Sequence, residues 1–587
     1  MKHRRLNPLL PTLTAAMAAV SLSVTAEPER VPLSALVPRD IIGALVVEDG
    51  RKVIARVEDN LAQPGPVGDH WHALVEALEA EIEETLPAER LAEFDIDGKP
   101  ATAKALLDLF GGDALIAFPA IDDAREVILL ERFDGDLETY RAIQLRDRDG
   151  YEASELEVEA VDLGEATYYR ERLPDAEDDS YTEYWALLGD VAVETTSAEL
   201  IEEVIEAHAA WLDGDGGDSL AMDRRYLDAR ELAGGGQLHG YFNFPLFYEL
   251  MLAQRDPEDD IPTNPLQITV ESLIDGLKLG RVGAVCASVD LLSEPVKLRV
   301  ALAHGSRDAG LLSLFTYVPQ TDPQWPGFIV PEATEATVSY IDLAALVDAT
   351  LALMNQISPN FGAFYQLQFD NFRAQSGIDI DSALLGNLGQ NLVTFSRPRV
   401  DIEGSDNPDA PEATSVPDED VVVAVAIRDR QAFENAVIGL IDLISGGNRL
   451  LETEDFADVT IYQPRPVDGT PPPVAFAFTT DYLFFVYGSV DTLKESLLRL
   501  QQDAVAPAHL EALLKRAQPE VIDLSYIHVG PLVDQLAEAF DVDESGLGSA
   551  TLRLLRHFKD YAIFANTSVS PTFMRSTAEI LPREASR

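Results

Sequence analysis

The chain has 587 residues, of which 46% are hydrophobic and 25% charged, so it has ample material for buried cores, and wholesale disorder is excluded. At one domain per ~150 residues it divides into several. Its 44 Lys and Arg stand against 101 Asp and Glu, a formal charge of −57, which excludes DNA, RNA and charge-driven docking on anionic headgroups, since each needs clustered cations.

The first 26 residues read as an export signal, here a signal peptide cleaved near Ala26. Lys2, Arg4 and Arg5 open it, residues 9–24 are largely apolar, and Val24-Thr25-Ala26 precedes an acidic mature end at Glu27. No Cys follows that point to carry a lipid, and no later run approaches the ~18 apolar residues of a membrane span. A soluble periplasmic or secreted protein is expected. Cys286 is the single cysteine, so no internal disulfide forms and stability comes from packing.

Val37-Pro38-Arg39-Asp40 leads into a first strand at 44–47. Residues 73–84 have helical spacing, with Leu74, Leu78 and Ile82 on one face. A helix over 105–110, stopped by Gly111-Gly112, precedes a strand at 114–118. Another strand at 127–130 is followed by a helix through Leu137 and Tyr140. Three or four antiparallel strands are expected over 156–196, with 172–183 as an acidic hairpin loop, and then a helix over 198–208.

The second half repeats this order. Asp379-Ile380-Asp381 echoes Asp95-Ile96-Asp97, and the strand at 421–427 with Phe433 behind it echoes 127 onward. Residues 455–462 echo 162–169, and Asp481-Tyr482-Leu483-Phe484 echoes Asp190-Val191-Ala192-Val193. A strand running straight into a helix recurs at Tyr241, Tyr340 and Tyr526. The offset stays near 280–295 residues, the mark of a tandem duplication. The expected organisation is a signal peptide at 1–26, a first copy at 27–315, an exposed Pro-punctuated linker at 316–330, and a second copy at 331–587 with an exposed acidic low-complexity insert at 399–420. Hairpin-linked strands with flanking helices indicate an α+β fold: two tandem homologous halves, each a largely antiparallel curved sheet with helices packed on it.

The Val-Pro opening, the strand and Asp-Leu turn into a helix, and Asp429-Arg430-Gln431-Ala432-Phe433 after a strand, all in tandem, resemble a group of exported bacterial proteins of unknown function built from tandem α+β copies. The resemblance implies a fold and brings no catalytic residues.

Chemistry is not spelled out by local motifs. There is no GxxxxGK[ST] or GxGxxG to cradle phosphate and no GxSxG nucleophile elbow. Cys286 lies in an apolar strand and reads as a packed small residue rather than a nucleophile. His70-Trp71-His72 reads as an exposed helix start rather than a metal site, because i and i+2 side chains on a helix diverge. Asp541-Val542-Asp543-Glu544-Ser545-Gly546 copies the first half of a calcium loop, but position twelve is Leu552 where a bidentate Glu is needed. Residues 213–218 read first as a flexible loop. No metal and no cofactor are therefore expected.

Two features have binding character. Tyr340 with Asp342, Tyr526 with His528, and Tyr241 with Asn243 each place a ring and a polar group on one face of a strand end, although helix capping accounts for Asp342 and Asn243 without a ligand. Phe361, Phe364, Tyr365, Phe369 and Phe372 form an aromatic stripe on a helix over 360–373, either core or a groove for a lipid-like ligand or partner protein. The leading reading is an exported non-catalytic binding or scaffold protein of the cell envelope with a salt-adapted acidic surface. Its alternative is a periplasmic hydrolase using scattered carboxylates or histidines.

Overall fold

The computed structural model describes residues 30–61, 72, 95–96, 99–100, 110–119, 126–144, 157–172, 182–215, 217–253, 265–399, 419–446, 450–465, 473–539, 556 and 558–582. The export segment at 1–26, the helix expected over 73–84, nearly all of the insert at 399–420 and the acidic loop at 541–546 lie outside the described residues. The chain forms two compact units interleaved in sequence. Unit 1 is Met1–Gln254, Gly283–Ala303 and Val533–Lys559; unit 2 is Arg255–Val282, His304–Leu532 and Asp560–Arg587.

In chain order the first half carries strands β1 (Ile41–Val47), β2 (Asp95–Ile96), β3 (Lys99–Pro100), β4 (Phe110–Pro119), β5 (Ile128–Phe133), β6 (Glu157–Leu163), β7 (Ala166–Arg172), β8 (Thr182–Leu188), β9 (Val191–Thr195), β10 (Leu238–Phe242), β11 (Val282–Asp290) and β12 (Val296–His304). Its helices are α1 (Gly50–Leu61), α2 (Leu137–Gln144), α3 (Ala198–Leu212), α4 (Arg224–Leu232), α5 (Phe244–Ala253) and α6 (Val270–Leu277). The second half carries β13 (Glu335–Ser339), β14 (Leu388–Pro398), β15 (Glu419–Ile427), β16 (Leu451–Phe456), β17 (Val459–Pro464), β18 (Val474–Phe478), β19 (Tyr482–Tyr487), β20 (Val521–His528), β21 (Tyr561–Val569) and β22 (Phe573–Pro582). Its helices are α7 (Leu343–Ile357), α8 (Pro359–Ser376), α9 (Ile380–Ala383), α10 (Arg430–Ile444), α11 (Val490–Gln501), α12 (Ala508–Leu514) and α13 (Val529–Ala539).

Every registered strand pair is antiparallel. Unit 1 has the order β11-β10-β1-β4-β5-β9-β8-β7-β6. Unit 2 has β21-β20-β13-β14-β15-β19-β18-β17-β16, with β22 outside β21. Strand for strand the two orders correspond. The fold is α+β with antiparallel sheets.

Around β5 and β15 side chains pack on both faces of the sheet. In β5 all six residues, ILLERF, are buried, because Ile128 and Leu130 join Leu200, Ile201 and Val204 of α3 on one side while Phe133 joins Tyr140 of α2 and Trp185 on the other. Unit 2 repeats the arrangement: Leu493 and Leu497 of α11 pack with Val422 and Ala424, and Phe433 of α10 packs with Phe478 and Ile427. The outer strands β6 and β16 are mostly exposed and acidic, EVEAVDL and LETEDF, a charge pattern that discourages further pairing at a sheet edge.

Two expectations need correction. The Gly111-Gly112 pair does not stop a helix at Phe110. Phe110 already pairs with Phe133, and Gly112, at φ 79°, lets β4 shift register before Ala114. The 316–330 linker is not exposed, either. Trp325, Phe328, Ile329 and Val330 are buried in the unit 2 core, and bridges join Tyr317 to Ile341 and Gln320 to Val521. Its prolines mark a bent path, while its large apolar side chains decide burial.

Candidate functional site

The helical layer of unit 2 begins where β13 turns into α7. The Asp342 carboxylate accepts from the Ala345 amide at 3.0 Å, capping the helix, and also accepts from Arg428 at 3.2 Å and Gln390 at 3.4 Å. Ser358 separates α7 from α8, Pro359 occupies the first turn of α8, and Gly377 in the left-handed region ends it.

Along α8 the i, i+4 spacing stacks three rings. Phe361 and Tyr365 have centroids 6.3 Å apart with ring planes at 25°, and Tyr365 and Phe369 are 4.1 Å apart at 29°. All three are half-buried, as is Phe372 on the same face. Phe364 is 51% exposed and Leu367, an aliphatic residue outside the aromatic pattern, is 56% exposed. None of the side chains described on this helix is buried. Burial raises the Tyr365 hydroxyl above its ordinary pKa, with Asp381 and Asp348 adding to the effect. Its oxygen is enclosed and has no hydrogen-bond partner among the described residues. The helix thus half-covers a ladder of rings and leaves Phe364 and Leu367 to solvent.

The strand-end tyrosines are elsewhere. Tyr340, 4% exposed, donates its hydroxyl to the Gln324 carbonyl at 2.9 Å and accepts from the Gln324 amide at 3.0 Å, pinning the 316–330 segment to the sheet. Tyr526, 1% exposed, lies 5.1 Å from the His509 ring. In the β13–β20 ladder Tyr526 faces Ala336, while the Tyr340 amide bonds the Ile522 carbonyl at the other end. The pair is therefore not brought together, and both rings belong to the core. His528 is half-buried, and its amide donates to the Thr334 carbonyl at 2.7 Å. In unit 1, Tyr241 is buried edge-on against Tyr226 at 5.2 Å, and Asn243 caps α5 by accepting from the Leu246 amide at 3.3 Å.

In a buried polar cluster of unit 1 the sequence marks Tyr241 and Cys286 only singly, and their meeting with Tyr226 and His239 carries no sequence signal because the members come from three separate elements. The Tyr226 hydroxyl lies 2.7 Å from His239 Nε2, and Cys286 sits opposite Tyr241 in the β10–β11 register. Burial pushes the Cys286 thiol up to about 11 and the His239 imidazole down to about 4. A thiol so held is a packed small group, not a nucleophile. Among the described residues no group of three or more His, Cys, Asp or Glu could hold a metal ion. His72 alone of its tripeptide is described, and it is exposed. In the 213–218 loop the Asp215 carboxylate accepts from the Gly217 amide at 3.1 Å, a local turn.

No protein family model matches this chain, and no curated protein does. The resemblance to exported tandem proteins therefore rests on its own motifs. Solved structures titled as crystal forms of TP0453 align with it at 12% identity and a TM-score of 0.24, covering 47% of this chain and 81% of theirs for crystal form IV, and 50% and 91% for crystal form III. A likeness at that TM-score carries no argument about fold or function. Among the described residues no helix is long and apolar enough to cross a membrane.

Proposed function

We propose that the chain is an exported, non-catalytic binding protein of the cell envelope, and that α8 is the face on which it holds a lipid-like ligand. The observation that carries this reading is the 18-residue α8 with an aromatic ladder, Phe364 51% exposed and Leu367 56% exposed. Apolar rings placed half in water, rather than in the core, are what an apolar ligand or partner can finish covering. The charge of −57 favours an uncharged or zwitterionic ligand over an anionic one. The corresponding strand orders support taking 27–315 and 331–587 as two copies of one ancestral unit, with 316–330 as the joint.

The test is titration of the full-length protein with an uncharged fluorescent monoacylglycerol and, separately, with a zwitterionic lysophospholipid. Phe364→Asp should weaken capture at least tenfold while the melting temperature stays nearly constant, because an exposed substitution costs about 0.5 kcal/mol or less. Unchanged capture by Phe364→Asp and Leu367→Asp would remove α8 as the site. Loss of a co-purifying protein in place of the lipid probes would make the occupant a partner helix.

A further inference from the structure

The connection from β10 to β11 leaves unit 1 after α5, places α6 within unit 2, and returns to unit 1 with β11. The connection from β20 to β21 does the reverse, since Val533–Lys559 belongs to unit 1. Each compact unit is thus completed by a segment from the other half of the chain.

In unit 2 the seat of α6 is built for close approach. A Cβ on Gly276, the buried residue of α6, would meet Ile357 Cγ1 of α7 at 2.4 Å and its Cα at 3.0 Å, so only glycine permits this crossing. Beside it the Ser358 hydroxyl donates to the Leu266 carbonyl, and Arg281 pairs with Asp308. α6 also carries its own ends. Thr269 and Ser272 exchange hydrogen bonds of 3.0 Å and 2.9 Å in a capping box, and Lys278 closes the last turn in the left-handed region. A helix capped at both ends and seated by packing, hydrogen bonds and an ion pair is a self-contained docking element.

We propose that residues 265–282 are an exchangeable docking segment, and that a second copy of this chain can seat its own segment on α7. The seat recognises the helix, not the chain that delivers it. The covalently attached copy wins in dilute solution because its effective concentration is of millimolar order, and exchange between chains is a low-cost route to a dimer when folding occurs at high concentration. The proposal is independent of any ligand on α8.

The probe is full-length protein carrying Leu266→Cys and Ser358→Cys in a Cys286→Ser background, a pair already in contact where the Ser358 hydroxyl reaches the Leu266 carbonyl, so that Gly276 and Ile357 stay in place. It is refolded from denaturant at about 1 µM and at about 100 µM, well below and nearer to the effective concentration, then oxidised and run on a non-reducing gel. An internally cross-linked monomer is expected at the lower concentration, and at the higher a disulfide-linked dimer amounting to roughly a tenth of the protein, the ratio of the folding concentration to the effective one. Leu266→Cys alone in the same background sets the level of random linkage. Absence of the internal cross-link would show that α6 does not seat on α7, and internal cross-link alone at both concentrations would show that it does not exchange. Wild-type protein refolded at about 100 µM should likewise show a dimer by light scattering that persists on dilution; a monomer throughout would overturn the proposal without any substitution.

Discussion

Thr460 donates its hydroxyl to Asp455 at 3.0 Å across the β16–β17 turn, and Thr167 makes the same bond to Asp162 at 2.8 Å across the β6–β7 turn. The recurrence goes beyond this hairpin. The Ile427 amide donates to the Asp481 carbonyl at 2.8 Å, as the Phe133 amide does to that of Asp190 at 2.9 Å. These are the positions that the repeat in the sequence aligns. Both turn bonds are exposed, so Asp455→Ala and Asp162→Ala should each cost about 0.5–1 kcal/mol and should match each other. Urea midpoints measure this, and a difference of several-fold would mean that the two hairpins are not equivalent.

A larger loss is expected at Asp420. Its side chain is 2% exposed, it accepts from the Ser489 amide at 2.7 Å and from the Thr492 hydroxyl, and it lies 3.5 Å from Arg397. Asp420→Ala leaves the first helical turn of α11 and the half of Arg397 not turned to Glu495 without their acceptor. A loss of about 3 kcal/mol follows for breaking a buried charged network. A loss under 1 kcal/mol would show that water replaces the carboxylate.

The strands and their antiparallel hairpins were legible because turns and period-two burial write themselves locally, as in YAIFANTSV of β21, where Ala562, Phe564 and Asn566 alternate inward, whereas the order of the strands was not, since β1 pairs with β10 and β5 with β9. So was the capping by Asp342, and Asp429 in the Asp-Arg motif proves to do the same for α10. What could not be read was membership. Nothing in VESLIDGL says that α6 belongs with the unit that resumes at His304 and not with the strands on either side of it, and nothing near Trp325 says that a proline-rich joint is core. The aromatic stripe was visible as a helix face, but its half-burial depends on α7 and α9 beside it, which spacing alone does not place.

Tyr340→Phe separates anchoring from ligand contact. The hydroxyl serves both backbone groups of Gln324, so its loss should lower stability by about 1–2 kcal/mol, orphaning an amide and a carbonyl in a partly buried place. Lipid capture by the folded variant should be unchanged. A capture defect at constant stability would instead put this ring in the binding site.

Salt should stabilise the protein. Screening shortens the reach of repulsion among 101 carboxylates more than it weakens the few close ion pairs, such as Arg397–Glu495 at 2.7 Å. The melting temperature is expected to rise between low and molar NaCl. A flat or falling curve would show that the negative field is already compensated in the folded state.

The sharpest pH dependence is expected at His239. The residue is 1% exposed, with the Tyr226 hydroxyl at its Nε2 and with Arg230, itself paired with Glu48, close enough to act on it, and burial first, then Arg230, hold it at about 4 instead of 6.5. Above the unfolded value neither state binds the proton, so the group contributes no pH dependence there. Between 6.5 and about 4 the unfolded chain binds a proton that the folded chain refuses, and stability must fall as pH falls. The full loss is about 3 kcal/mol, at 1.36 kcal/mol for each unit of displacement. His239→Gln keeps a hydrogen-bonding partner for Tyr226 but does not titrate, so the variant's stability should drop less steeply across the same window while carboxylate protonation affects both proteins alike. If wild type and variant keep parallel curves from pH 7 to pH 4, the imidazole is protonated in the folded protein and the cluster is open to water.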